Sequence, residues 1–131
     1  MPDHPNALLV RDLFDVFRRA DVARIVAAIP ENAVWHFPGR RGKLAGAHRG
    51  RDAILRFLAD VQSLTNGTFH LDLIDVIAND HRAVVLFRGH GQRDGKTLDN
   101  PTCLRIDFAG GQLSEVWEFV WDLDHVDDFW S

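Results

Sequence analysis

Tyrosine is absent from this chain, and cysteine occurs once among its 131 residues, at Cys103. A single thiol excludes an intrachain disulfide and any metal site built from thiolates alone, and it fits a reducing cytoplasm. Without phenols, the large rings are nine Phe and four Trp, of which only the indoles can donate a hydrogen bond. A basic surplus is also lacking. The 15 Lys and Arg are scattered and stand against 19 Asp and Glu, a formal net charge of -4, so nucleic acid is not an expected partner. No apolar run approaches the roughly 18 residues that a membrane span needs. The opening MPDHPNALLVRD has no basic stretch followed by an apolar one, so no membrane association and no leader are expected. Seven histidines show no HxH or HExxH spacing, and neither a metal nor an organic cofactor is expected.

What is present suits one domain spanning residues 1–131, since 46% hydrophobic residues can build a single core at this length. From Asn6, Leu9, Leu13, Val16 and Phe17 recur at helical spacing. A second helix is predicted from Asp21 to Ala28, turning Val22, Ile25, Val26 and Ile29 inward until Pro30 forbids continuation. Ala33 to Phe37 reads as extended. Gly39, Gly42, Gly46 and Gly50, with Arg40, Arg41 and Lys43, then predict a long polar loop. A third helix follows Gly50, with Ile54, Leu55, Phe57, Leu58 and Val61 as its apolar face, and stops at Asn66-Gly67.

Thereafter the period changes. Phe69 to Ala78, Ala83 to Gln92, Thr97 to Phe108 and Leu113 to Trp121 are rich in branched and aromatic residues, separated by the turn pairs Asn79-Asp80, Asp94-Gly95 and Gly110-Gly111. These predict four antiparallel neighbours joined by short hairpins. The tail DLDHVDDFW can close as a helical turn with Asp122 as its N-cap, and Asp52 serves the start of the third helix. Helices first and strands afterwards indicate an α+β class.

The pieces WHFPG (Trp35 to Gly39), AGAHRGRDAI (Ala45 to Ile54), RDGKTLDN (Arg93 to Asn100) and WEFVWD (Trp117 to Asp122), in that order, resemble the SnoaL-like branch of the nuclear transport factor 2-like superfamily. That branch includes relatives of ketosteroid isomerases and polyketide cyclases. The resemblance implies a cone: three N-terminal helices packed on a strongly curved, mainly antiparallel sheet that encloses one pocket. It also implies a homodimer formed through the outer sheet face. Laid over this chain, the isomerase pattern puts its general base on His36, its tyrosine donor on Leu13 and its protonated acid close to Leu104. Two of three roles are lost, so classical isomerase activity is disfavoured. The cyclase pattern puts its acid/base carboxylate on Glu118.

Strand alternation separates Trp35 from His36, so only one of them enters the pocket, and the resemblance favours His36. The same alternation puts Val116, Glu118 and Val120 on one face of the last strand and Trp117, Phe119 and Trp121 on the other. Glu118 is then either desolvated, with a raised pKa, or tied to an Arg such as Arg105. The expected wall consists of Leu13, Phe17, Phe57, Phe87, Leu104, Val116 and Val120, with Asn100 and Thr102 as polar members that either reach a ligand or satisfy backbone. Gly89 and Gly91 either widen the pocket floor or let the sheet bend.

Two functions stay open. One is a proton-transfer lyase, isomerase or cyclase acting on an apolar cyclic compound, with His36 as base and Glu118 as acid or orienting partner. The other is a catalytically silent module that binds a small apolar molecule or only dimerises. The expected partners are accordingly a small apolar molecule and a second copy of the chain.

Overall fold

The structure, a computed structural model, describes residues 3–131. Helix α1 (Pro5–Arg18) starts at a proline, which needs no N–H partner there, and His4 Nδ1 accepts the Asn6 N–H at 3.0 Å. Ala20, at φ 54, turns the chain into α2 (Val22–Ala28), capped by Asp21, which accepts the Arg24 N–H at 3.3 Å. Of the residues expected to face inward here, Ile29 is buried, but Val22 is exposed and α2 itself buries no residue completely. A seven-residue helix on the rim has too little partner surface to bury more.

Strand β1 (Val34–Phe37) follows, and then the predicted loop departs from expectation, because its last part forms a strand, β2 (Gly46–Arg49). Its residues Gly-Ala-His-Arg carry no apolar alternation. What makes them a strand is antiparallel pairing with β1, Phe37 opposite Gly46 and Trp35 opposite His48. Helix α3 (Arg51–Leu64) carries Asp52 in its first turn, and the chain leaves it through Asn66 and Gly67, both left-handed.

The four long strands fall within two residues of their predicted limits: β3 (His70–Ala78), β4 (Arg82–Arg93), β5 (Lys96–Ala109) and β6 (Gln112–Val120). Helix α4 (Leu123–Trp130) is a full element and not a single turn, with Asp122 accepting the His125 N–H as the expected cap. The helices therefore number four among the described residues, one more than the three N-terminal helices expected, because the tail forms α4.

The sheet is open and curved, in the order β2-β1-β6-β5-β4-β3. All neighbours are antiparallel except β1, which runs parallel to β6 with Trp35 opposite Val116. An extra residue between Leu73 and Asp75 leaves Ile74 exposed and re-aims β3, so that Leu71 and Leu73 before it and Val76 and Ala78 after it all join the inner packing. The inner face packs against α1 and α3, with Val85, Leu104, Ile106 and Val116 near its centre. A second packing centre joins α3 to α4 through Phe57, Val61, Val126, Phe129 and Trp130, and Trp35 bridges the two. No helix is long and apolar enough to cross a membrane among the described residues.

Candidate functional site

Between the two packing centres lies a cavity of about 150 Å³. An apolar cavity of that size has room for a molecule on the scale of benzene. Leu13 and Phe17 reach it from α1, Phe57 from α3, Phe87 from β4, and Leu104, Val116 and Val120 from β5 and β6. These seven side chains are the apolar wall expected from the sequence. The same side also carries Asn100, Thr102 and Glu118, so the wall is apolar except at three side chains and at the edges of two indoles.

Asn100 and Thr102 are occupied locally. Asn100 is 2% exposed; its Nδ2 donates to the Pro101 carbonyl at 2.8 Å, and its Oδ1 accepts the Asp122 N–H at 3.1 Å. That second bond fixes where α4 begins. The Thr102 hydroxyl lies 3.4 Å from the Asn100 carbonyl. Both serve backbone first, which is the blander of the roles open to them from sequence. Gly89 lines the cavity, and a Cβ built there would meet Phe69 and Phe87 only at ordinary contact distances, so its missing side chain leaves usable space.

Glu118 is different. Its Oε1 accepts the Trp35 indole N–H at 3.2 Å, which is its only hydrogen-bond partner among the described residues. Arg105, the candidate ion-pair partner, lies on the other face and holds Asp107 instead. Burial pushes the Glu118 carboxyl up to about 7, and the Trp35 N–H opposes the shift by favouring the charged form. The group therefore exchanges its proton near neutrality while bordering the cavity.

His36 requires a correction. It was expected to enter the cavity, but it is not on the wall; Trp35 is. The imidazole lies on the outer face, stacked on Trp117 with ring centroids 3.6 Å apart at 12°, and its Nε2 bonds Glu115. The reason is register. In the parallel ladder His36 lies opposite Trp117 and Trp35 opposite Val116, so His36 shares the outward parity of Trp117. His36 and Glu118 are thus on opposite faces of one sheet and cannot act on the same bound atom.

Sequence reasoning weighed Trp35 against His36 and set it aside, although its ring carries an N–H donor three residues before Pro38, and it passed over Asp127. The Asp127 carboxylate, on α4, accepts the backbone N–H groups of Gly42 at 2.7 Å, Arg41 at 2.9 Å and Arg40 at 3.0 Å. Those bonds, Gly42 first, hold it below the usual carboxylate range against the opposing effect of burial. This ties the glycine-rich loop to α4, whose Val126 and Trp130 close one end of the cavity. Gly39 is required here: its φ is +121°, and a Cβ would lie 2.4 Å from an Asp127 oxygen.

Comparison with known proteins agrees with this architecture. Over its full length the chain is 31% identical to an uncharacterized protein of Mycobacterium tuberculosis strain H37Rv, with 100% of each covered. It is similar to the structure of Bal32a from a soil-derived mobile gene cassette, at TM-score 0.91 and 35% identity, with 96% of each chain covered. TerC co-crystallized with polyporic acid superposes at TM-score 0.81 and 20% identity, over 96% of this chain and 98% of that one, a likeness of fold alone. Residues 10–116 match the SnoaL-like domain model, so this chain belongs to the SnoaL-like family, and its helices on a curved, open sheet are those of a nuclear transport factor 2-like fold.

Proposed function

We propose that this protein binds one small, apolar, ring-sized molecule in the cone, held at a single polar point by Glu118. The observation that carries the reading is a lone carboxyl on the wall of an otherwise apolar cavity, with Asn100 and Thr102 already committed to backbone. Ligand sites of this kind draw affinity from apolar burial and orientation from a few polar groups. That TerC was crystallized with polyporic acid is in keeping with such use of the fold. The test is calorimetric titration with a neutral one-ring probe, benzyl alcohol, against the wild type and Gly89→Val. The substitution fills cavity space without straining the backbone, so binding by the wild type and at least roughly tenfold weaker binding by the variant are expected. Equal affinity of the two would place the probe elsewhere and end the reading.

One observation favours a second reading, proton transfer by Glu118 alone. A carboxyl whose pKa is about 7 is present in both forms at neutral pH and can take a proton from one carbon of a bound ring and return it to another. The two-residue scheme with His36 has no place in it. A homodimer is proposed through the outer face, where Phe119 is 54% and Trp121 84% exposed beside Trp117. Light scattering should give twice the 14.9 kDa chain mass, and the mass of one chain would refute it.

A further inference from the structure

We propose that the cavity selects its ligand by charge, accepting a one-ring apolar compound that bears an amine and rejecting the same ring bearing a carboxylate. This rests on the apolar-binding reading above and adds to it the class of the polar group.

Three features of the wall lead there. Among the described residues it carries one acid and no Lys, Arg or His. An incoming carboxylate would meet Glu118 in an apolar space with no counter-ion, which is the costliest arrangement of buried charge. Glu118 is also half-partnered. The Trp35 indole holds Oε1, and Oε2 accepts from no protein donor among the described residues. An ammonium group, with up to three N–H donors and no acceptor, complements that free oxygen; a carbonyl compound complements it only while the acid is protonated.

The third feature is the set of aromatic rings on the same wall. Trp35 and Phe57 pack with centroids 5.3 Å apart, Phe57 and Phe37 at 5.5 Å, and Phe14 and Phe87 at 6.0 Å. An aromatic wall of this kind tolerates a cation better than an aliphatic one and buries its hydrocarbon part. The energetics favour the pair because Glu118 is already half-buried beside the apolar wall, where burial pushes its carboxyl up. The amine then adds Coulomb attraction in a low dielectric against only its own desolvation. Pairing with an ammonium requires the carboxylate, so any proton the acid holds before binding passes to solvent.

The experiment is calorimetry at pH 7 on the intact protein with three isosteric probes, benzylamine, benzyl alcohol and benzoate. The amine is expected to bind about tenfold or more tightly than the alcohol, with benzoate weakest. Titration in buffers of different ionisation heat should show proton release for the amine and none for the alcohol, and Glu118→Gln should collapse the amine-to-alcohol ratio towards one. Equal affinities for amine and alcohol, or tightest binding of benzoate, overturn charge selection while leaving apolar binding intact. Failure of all three probes to bind overturns both.

Discussion

The two faces of β6 and β1 are made from adjacent residues yet face opposite surroundings. Inward, Val116, Glu118, Val120 and Trp35 enclose an apolar space with one carboxyl; outward, Trp117, Phe119, Trp121 and His36 form an aromatic ridge with an imidazole paired to Glu115. On the inner side a polar group without a counter-ion shifts its pKa and becomes chemically available, as Glu118 does. On the outer side solvent and neighbouring charges satisfy polar groups cheaply, so a histidine there is an ordinary surface residue.

The strongest way to separate the faces is by truncation. Leu104→Ala, at a side chain 1% exposed in the inner packing, should cost about 3 kcal/mol or more in denaturant unfolding. Phe119→Ala, measured at a concentration where the chain is monomeric, should cost under about 1 kcal/mol. Similar losses for both would mean that the outer ridge is packed within the monomer.

Next in size is the pH dependence of Glu118. Its folded value of about 7 lies above the ordinary 4.5, so the native state holds its proton where the unfolded chain has lost it. Stability from this group is fully present below about pH 4.5, falls as pH rises towards 7, and is then flat at a level lower by about 3 kcal/mol. Glu118→Gln should remove that decline and raise the melting temperature most at pH 8. A wild-type profile that stays level between pH 4.5 and 8 would show that the carboxyl is well solvated.

Trp35→Phe sharpens the same point with a smaller effect. Losing the indole N–H leaves the charged form unsupported, so the Glu118 titration, followed by carbon NMR of its carboxyl, should move above 7, with about 1–2 kcal/mol lost at high pH. The smallest change is expected outside. His36→Ala should alter stability by less than about 1 kcal/mol and leave benzyl alcohol affinity unchanged, because its ring stacks on Trp117 and bonds Glu115 on the face away from the cavity. A tenfold loss of affinity in that variant would reconnect the two faces.

Much of the fold was legible before any coordinates. The four long strands, the helix stops at Pro30 and Asn66-Gly67, and the cap at Asp122 depend on local periodicity and turn chemistry, which neighbouring residues carry among themselves. β2 was not legible, because an edge strand of Gly, Ala, His and Arg owes its conformation to β1 and has no pattern of its own. Asp127 was missed for a related reason: one acid among several in a C-terminal helix becomes distinctive only when the loop 85 residues earlier brings three N–H groups to it.

The amino-acid sequence by itself determined that Trp35 and His36 face opposite ways, and that Glu118 parts company with Trp117 and Phe119, since side chains alternate along any strand. It could not say which member of the β1 pair turns inward. That was decided by the parallel register of β1 on β6, which joins residues about 80 positions apart in the chain and puts Trp35 level with Val116. A one-residue slip would have exchanged the two. In that register the partly buried indole packs on Phe57 and donates to Glu118, and with it the candidate site passed from an imidazole to a carboxyl and its indole donor.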